Sequence, residues 1–416
     1  MKKPPHVKIK RGRFNTVLPL FLIDVALFFL FGACEPRPDD SCYAPDSGIF
    51  VVTTDYSTGS YSVIDPDILE TYNDIGKHKI HSDAMVRYFS SVPDYVYIIN
   101  RLGQDNIQAL NRNENYSTVY QVSTGNSSNP HDLWVVDPER AYVSRYGESS
   151  LLIMNPSSGK ITGSVDLSGY GDSSVNGIPR MSRLYHHDGL KRLFVAVQRL
   201  ASSWHPSEYS SVIVIDTDES SPTCNEVIRE IKLTWDEGTE TINATNPYTN
   251  FRYVPDSWWD PPTGDDHHDH LFISCVGEFG YFFQLDCGIV AIDVTEMSCE
   301  QGYVLSEETA GTEITEFVIK SGTEGYATTS DKNFHSKLIK FNPQDGSITS
   351  TVRVDDGEWG YLWTLGLDGS GMLYLCDRNA LEPGVRIYDT NDEDRELNDG
   401  KPLYVGLPPF DLAFIE

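Results

Sequence analysis

The chain has 416 residues and a formal net charge of −29, with 61 Asp and Glu residues against 32 Lys and Arg residues. This acidic composition argues against nucleic acid or anionic lipid as a partner, because both require clustered positive charge on the protein. Seven cysteines are present, but they form neither a CxxCH haem motif nor a CxxC pair.

Residues 1–33 have the features of an export signal. They begin with six Lys or Arg residues, continue with an apolar stretch over residues 17–31, and end on Gly32-Ala33 directly before Cys34. This order is similar to a lipoprotein signal, in which Cys34 becomes the lipidated first residue. An ordinary secretory signal and an uncleaved anchor are the alternatives. Residues 1–33 carry a net charge of +5, so the remaining chain has a net charge of −34.

We predict that residues 34–47 form a Pro-rich tether and that residues 48–416 form a single domain. The six cysteines after Cys34 suit an oxidising compartment outside the cytosol. Cys275 ends the apolar segment LFISC, and Cys287 directly precedes the segment GIVAID. We expect these segments to be neighbouring strands of a hairpin, and we predict a disulfide between the two cysteines. Free buried thiols are the alternative.

A hydrophobic strand that closes on Asp or Asn recurs seven times. The closing residues are Asp65, Asn111, Asn155, Asp216, Asp293, Asn342 and Asp389. Successive copies are 46, 44, 61, 77, 49 and 47 residues apart. Four spacings match one propeller blade of four short strands, and the two long ones indicate insertions in the fourth and fifth blades. The closing side chain can accept a backbone N–H two residues further on and begin a hairpin turn.

Two copies are especially regular, YVYIINRLGQDNIQALN at residues 95–111 and AYVSRYGESSLLIMNPSSGKITGSV at residues 141–165. Both resemble the YVTN-type repeat of bacterial seven-bladed β-propellers. The resemblance implies an all-β propeller of seven four-stranded antiparallel blades. Such propellers include lactonase-like enzymes, surface-layer proteins and binding proteins without catalytic activity. We expect the C-terminal segment PPFDLAFI, residues 408–415, to complete the N-terminal blade and leave no open sheet edge.

The loops between second and third strands, and those between blades, share one end of such a ring, here called the top face. Four of these loops carry an Arg directly after a second strand, at Arg101, Arg145, Arg199 and Arg378. Guanidinium groups converging on a common axis suit a carboxylate or phosphate ligand. The alternative is that each Arg braces its loop by pairing with an acidic neighbour such as Asp105, Glu148 or Asp377.

The longest top loops are in blades four and five, and long loops in compact folds are usually functional. They contribute Trp204, His205, Phe279 and Tyr281. Together with His131, these side chains predict a recognition surface for a protein or a small anionic ligand. Aromatic packing that seals the channel is the alternative.

Two His-rich hairpins are expected on the opposite end of the ring, here called the bottom face. The first is HHDG, which begins at His186, and the second contains Asp266, His267, His268 and His270. Imidazole and carboxylate groups bind zinc, copper or nickel. Because the spacing matches no closed structural site, ordinary turn chemistry is the alternative.

The sequence contains no GxSxG, HExxH or phosphate-loop motif. A lactonase-like hydrolase would need a metal in the channel and could recruit His81, Asp83, His131, Asp132 and Glu358. The favoured interpretation is instead a monomeric recognition or scaffold protein of the cell envelope, exported and attached to a bacterial membrane only through its lipid. The sequence indicates no cofactor firmly, and binding of a divalent metal is an open alternative.

Overall fold

The computed structural model describes residues 43–259, 268–278, 284–355 and 361–416. Over these ranges the chain forms seven antiparallel sheets that are the blades of a ring, together with one small hairpin. The predicted all-β, seven-bladed propeller is therefore confirmed. Cys34, with the rest of the predicted signal, lies outside the described residues. Within those ranges no helix has the length and apolar character needed to cross a membrane.

The first three blades follow each other without interruption. Blade one begins with β1 (Gly48–Thr54), β2 (Gly59–Asp65) and β3 (Glu70–Tyr72). Blade two consists of β4 (Ala84–Tyr88), β5 (Tyr95–Asn100), β6 (Asn106–Asn111) and β7 (Ser117–Ser123). Blade three consists of β8 (Pro130–Asp137), β9 (Arg140–Arg145), β10 (Ser150–Met154) and β11 (Ile161–Asp166).

The two long spacings fall around blades four and five. Blade four consists of β12 (Met181–His187), β13 (Arg192–Val197), β14 (Ser211–Asp216) and β15 (Val227–Lys232). An inserted hairpin of β16 (Thr234–Glu237) and β17 (Glu240–Asn243) follows. Blade five consists of β18 (Arg252–Val254), β19 (His270–Cys275), β20 (Gly288–Asp293) and β21 (Ser298–Cys299), with β22 (Leu305–Ser306) also paired to β20.

The last two blades and the C-terminal strand complete the ring. Blade six consists of β23 (Glu313–Ser321), β24 (Glu324–Ser330), β25 (Ser336–Phe341) and β26 (Ile348–Asp355). Blade seven consists of β27 (Leu362–Leu367), β28 (Met372–Asp377), β29 (Gly384–Asp389) and β30 (Arg395–Glu396), and β31 (Pro409–Ile415) follows. The described helices are short, namely α1 (Glu307–Ala310) and the 3-10 turns Arg112–Glu114, Ser168–Tyr170, Ser173–Val175, Asp256–Trp258 and Asn398–Gly400.

The C-terminal strand β31 closes the ring as expected. It pairs with β1, with Ile415 opposite Gly48 and Pro409 opposite Thr53. It is therefore the innermost strand of blade one, and the first and last segments of the domain share one sheet. Residues 44–46 of the predicted tether also pack on the ring, where the Tyr116 hydroxyl donates to the Pro45 carbonyl at 2.7 Å.

The turn chemistry inferred from the repeat is confirmed at six of the seven closing residues, and the seventh, Asn155, bonds one residue further on. Six closing side chains accept the backbone N–H two residues on, at 2.7–3.1 Å: Asp65, Asn111, Asp216, Asp293, Asn342 and Asp389. Asn155 accepts from Ser158, three residues on, at 2.9 Å. Each bond fixes the start of a hairpin locally, which explains why the repeat is visible in the sequence.

The apolar core lies between neighbouring blades. Phe194 and Val214 of blade four, for example, pack in one buried cluster with Ile273 and Val290 of blade five. Several middle strands of the blades, such as β13, β14 and β20, bury side chains on both faces and are almost continuously apolar instead of alternating. This packing holds the innermost strands β4, β8, β12, β18, β23, β27 and β31 around a common channel.

The described cysteines are all free thiols: Cys224, Cys275, Cys287, Cys299 and Cys376. The predicted disulfide between Cys275 and Cys287 is therefore not formed. The two strands are hairpin neighbours, but Cys275 lies opposite Gly288, so Cys287 stands one position beyond the paired residue. Burial raises the pKa of the Cys287 thiol to about 12, which makes it unreactive as a nucleophile.

Candidate ligand-binding site in the central channel

Irregularities in the innermost strands shape the top end of the channel. The register shifts beside His131 in β8, Arg183 in β12, Glu316 in β23 and Thr364 in β27, and again near the start of β31. A bulge adds one residue to a strand and re-aims the neighbouring side chains. Polar residues of several blades thereby line one cavity.

This cavity has a volume of about 670 Å³ including its open mouth. Its charged lining residues are Arg101, Arg183, Glu316 and Asp411, and its main aromatic and imidazole walls are His131, Tyr248, Trp363 and Phe410. All seven blades contribute to the lining through an innermost strand or a top loop. Blade one contributes only through β31. The site is therefore a product of ring closure, since β31 supplies Phe410 and Asp411.

Each of three carboxylates beside the cavity forms an ion pair with an Arg. Arg87 Nε lies 2.7 Å from Asp132 Oδ1, and Arg87 NH1 lies 3.6 Å from Asp411 Oδ2. Arg252 NH2 lies 3.2 Å from Glu316 Oε1. Burial raises the pKa of the Glu316 and Asp411 carboxyls, although Arg252 and Arg87 respectively oppose the shift. Both groups therefore hold a proton more readily than an exposed carboxyl.

Arg183 has no such acidic partner. Its Nε donates to the Tyr248 carbonyl at 3.3 Å, and its NH1 contacts the Met85 sulfur at 2.9 Å. Burial, reinforced by Arg87, lowers the pKa of Arg183 from its ordinary value. An Arg stays cationic even so. Among the described residues, Arg183 therefore carries a positive charge on the cavity wall that no carboxylate pairs at salt-bridge distance.

His131 lies beside this charge and is neutral. Burial lowers the pKa of its imidazole well below the usual value, and the neighbouring Arg101 and Arg183 lower it further. The ring stacks on Tyr146, with centroids 4.3 Å apart. A neutral imidazole in this position can donate or accept a hydrogen bond to a ligand without adding charge.

Aromatic and guanidinium groups alternate around the mouth. Arg180 lies 4.7 Å from the Trp204 ring and 5.4 Å from the Tyr146 ring. Across the mouth, Arg378 lies 5.4 Å from the Phe410 ring, which in turn stacks on Trp363 at 5.8 Å. These cation–π contacts orient the rim and give it flat apolar walls.

The four predicted Arg side chains have different environments. Arg101 lines the cavity and donates from Nε to Asp83 Oδ1 at 2.9 Å. Arg145 donates to the backbone carbonyls of Thr124 and Ser150, and Arg378 donates to those of Thr54 and Pro409. Arg199 stacks on Tyr209 at 3.9 Å. The structure thus brings Arg101 and His131 to the cavity, whereas the other three Arg contact loops and backbone.

The remaining predicted top residues lie at the rim or outside the described part. Trp204 is 61 % exposed, and His205 Nδ1 lies 2.9 Å from Glu278 Oε1, which links the loops of blades four and five. Phe279, Tyr281 and Glu358 are outside the described residues. His81 accepts from the Asp83 backbone N–H at 3.2 Å, next to the Arg101–Asp83 pair.

The sequence interpretation missed Arg183, Tyr248, Glu316 and Asp411. A signal for three of them exists in the innermost strands, where a polar residue directly precedes a buried apolar one. The pairs are Asp132-Leu133, Arg183-Leu184, Asn250-Phe251, Glu316-Phe317, Thr364-Leu365 and Asp411-Leu412. Five of the six polar members, all except Asp132, line the cavity.

On the bottom face the two His-rich hairpins meet. His187 Nε2 lies 3.6 Å from Asp269 Oδ2, and His268 and His270 approach acidic residues of blade five. Asp266 and His267 are outside the described residues. Among the described residues, the cluster of possible metal ligands lies here and involves His270.

Fold and site together define a seven-bladed β-propeller with a polar cavity at one end of its central channel. No family model matches the chain, and no curated protein matches it. It is similar in structure to a provisionally assigned 6-phosphogluconolactonase from Bacteroides fragilis NCTC 9343, with 11 % identity, a TM-score of 0.55, and coverage of 92 % of this chain and 100 % of that one.

A second provisionally assigned 6-phosphogluconolactonase, from Bacteroides uniformis ATCC 8492, has 12 % identity and a TM-score of 0.53, and the match covers 88 % of this chain and 98 % of that one. The dihydro-haem d1 dehydrogenase NirN has 13 % identity and a TM-score of 0.51, with 91 % and 78 % covered. At such low identities these likenesses establish the shared propeller fold alone.

Proposed function

We propose that this protein is a recognition protein that binds a small anionic ligand, bearing a carboxylate or a phosphate, in the cavity at the top of its channel. The observation that carries this proposal is the guanidinium of Arg183, which lines the cavity and donates to a backbone carbonyl. A planar guanidinium without an acidic partner favours a bidentate oxyanion.

The surroundings of Arg183 support the same class of ligand. The part of the cavity that water-sized groups can enter measures about 80 Å³, which suits a small ligand. Arg87 and Arg252 compensate the nearby carboxylates, so these carboxylates do not oppose an anionic ligand at full charge. Trp363 and Phe410 offer flat apolar walls for the carbon skeleton of the ligand.

A hydrolase is the alternative function, and Glu316 is the observation that favours it. A buried carboxyl with a raised pKa inside a cavity is suited to general acid catalysis, and neutral His131 lines the same cavity. The lactonase-like version with a metal in the channel has less support, because Arg87 and Arg252 engage Asp132 and Glu316. A Glu316→Gln variant that binds substrate but does not turn it over would establish the enzyme.

We also propose that the domain is held at a bacterial membrane of the cell envelope through lipid on Cys34. The support is the basic, apolar and small-residue order of residues 1–33 before this cysteine. Expression of the Cys34→Ser variant tests the anchor. We expect the variant to leave the membrane fraction, and equal membrane retention of the two proteins would refute lipidation at this site.

A thermal-shift panel tests the proposed ligand class. Citrate and glucose 6-phosphate supply carboxylate and phosphate, and glucose is the neutral reference. A ligand that binds only the folded state raises the melting temperature. We expect at least one of the two anions to raise it for the native protein and not for Arg183→Gln. The matched control is Arg229→Gln, an exposed Arg of the same blade, which should respond like the native protein.

A further inference from the structure

Three acidic and imidazole side chains converge at the bottom end of blade five. His270 begins β19 and lies directly opposite Asp293, which ends β20. Glu300 follows β21, and its backbone N–H donates to Ala291 at 2.9 Å, so its side chain shares a face with Asp293. One possible ligand atom from each of the three residues lies within 4.8 Å of the other two.

The cluster is buried and its members are held in place. His270 is 1 % exposed and Asp293 is 4 % exposed. Asp293 Oδ1 accepts the backbone N–H groups of Thr295 and Glu296, at 2.7 Å and 2.8 Å. Its Oδ2 is contacted by His268 Nδ1 at 2.7 Å. One oxygen of the carboxylate is therefore held by two backbone N–H groups while the other contacts His268, and bonds of this kind orient the ligands of metal sites.

The two ring nitrogens of His270 have different surroundings. Nε2 lies 3.4 Å from Glu300 Oε1, whereas Nδ1 is buried without a hydrogen-bond partner in the described part of the chain. The ring packs edge-on against Trp259, with centroids 4.7 Å apart. A buried imidazole nitrogen without a partner is unfavourable. The nitrogen that faces Glu300, and would reach a metal shared with it, is Nε2.

We propose that His270, Asp293 and Glu300, together with His268, bind one divalent transition-metal ion of the zinc class at the bottom of blade five. Imidazole nitrogen and carboxylate oxygen are the donor set of such ions. This ligand set overlaps the sequence hypothesis at His268 and His270 only. Asp293 and Glu300 come from the third and fourth strands, and no local His-rich pattern contains them.

The metal would fasten the outer edge of blade five. The fourth strand of this blade, β21, has two residues, as β30 of blade seven does, whereas β7, β11, β15 and β26 have six to eight. A bond from Glu300 to a metal shared with β19 and β20 would add to the backbone pairing that β21 and β22 give this edge. The alternative is a metal-free pair of His–carboxylate hydrogen bonds, and the experiment distinguishes the two.

The test is zinc binding by the full-length protein after removal of metal with a chelator. Protein is dialysed against dilute ZnCl2 and desalted, and bound zinc per chain is measured by elemental analysis alongside the melting temperature. Glu300→Gln keeps the shape of a half-buried side chain, and His270→Gln removes the buried imidazole. His335→Gln is the matched control, because His335 also contacts a carboxylate, Asp331, at 3.2 Å.

We expect one zinc per chain, and a higher melting temperature with zinc, for the native protein and for His335→Gln. Glu300→Gln should bind zinc at least about tenfold more weakly, since losing even a residue that only orients a ligand costs about tenfold to a hundredfold, and should lose the thermal shift. Absence of stoichiometric zinc from the native protein overturns the proposal. So does equal zinc binding by the native protein and a folded Glu300→Gln variant.

Discussion

Arg87 and Asp132 form a 2.7 Å ion pair between the innermost strands of blades two and three. The same carboxylate accepts the backbone N–H of Leu184 in blade four through its second oxygen, at 3.0 Å. One buried side chain, 1 % exposed, therefore ties three consecutive blades together at the channel. At the channel, where the apolar core between the blades ends, polar contacts hold the innermost strands together.

This relationship predicts a large effect of Asp132→Asn on stability. The variant leaves Arg87 buried without its main counter-charge, and breaking one side of a buried pair costs about 3–5 kcal/mol. Urea denaturation should show a corresponding loss of unfolding free energy. Asp166→Asn, at an exposed position of the same blade, serves as the control. Equal midpoints for the two variants would show that Asp132 does not tie the blades.

Arg378 lies at the seam of the ring, where β31 pairs with β1. Its contacts there predict that it stabilises the fold. Its guanidinium donates to the Pro409 carbonyl at 2.9 Å and to the Thr54 carbonyl at 3.2 Å, so it joins the two segments that meet in blade one. Charged hydrogen bonds of this kind contribute about 1.5–3 kcal/mol. We expect Arg378→Gln to lower the unfolding free energy by about 2 kcal/mol.

The control for the seam is Arg395→Gln. Arg395 contacts Asp392, but its side chain is 58 % exposed, and surface pairs contribute little. Chemical denaturation of both variants gives the comparison. Should Arg378→Gln denature at the same urea concentration as Arg395→Gln, the guanidinium would not be bracing the closure of the ring.

Glu307 predicts a pH dependence of stability. Its side chain is buried in α1, and burial raises the pKa of the carboxyl to about 8. In the unfolded chain the pKa is about 4.3. Between these values the folded state holds a proton that the unfolded state has lost, so stability is full below the lower pKa and falls as pH rises towards 8.

Replacing Glu307 by Gln should remove this loss. The amide oxygen can still accept the Cys287 backbone N–H, which lies 3.2 Å from the carboxylate. We expect Glu307→Gln to exceed the native protein in unfolding free energy by about 2–4 kcal/mol at pH 8, with a smaller difference at pH 5. Denaturation curves at both pH values measure it. Glu308→Gln, exposed and adjacent, should follow the native protein; a constant difference across pH would contradict the assignment to Glu307.

The blade count was predictable because its signals are local. A closing Asp such as Asp65 bonds a backbone N–H two residues on, so the turn is encoded within one short segment. The positions of Arg183 and Glu316 were not predictable in this way. Their side chains reach the cavity beside strand irregularities, which depend on the register between strands.

Long-range contacts explain the other differences. Arg145 and Arg378 share a sequence position with Arg101, yet their partners are backbone carbonyls of other loops. The bottom cluster joins His270 to Glu300, 30 residues away, and no spacing rule for metal sites covers that distance. The Cys275–Cys287 disulfide does not form because Cys287 stands one position beyond Gly288, the residue paired with Cys275. The apolar pattern of the strands does not determine a shift of one position.

The central claim is that Arg183 holds an anion in the channel, and isothermal titration calorimetry tests it most directly. The anion that gives the larger thermal shift is titrated into the native protein, Arg183→Gln and Arg229→Gln. We predict 1:1 binding that Arg183→Gln weakens by about tenfold to a hundredfold, the equivalent of about 1.5–3 kcal/mol for charged hydrogen bonds, with Arg229→Gln unchanged. Equal affinity of the native protein and a folded Arg183→Gln variant would contradict the account.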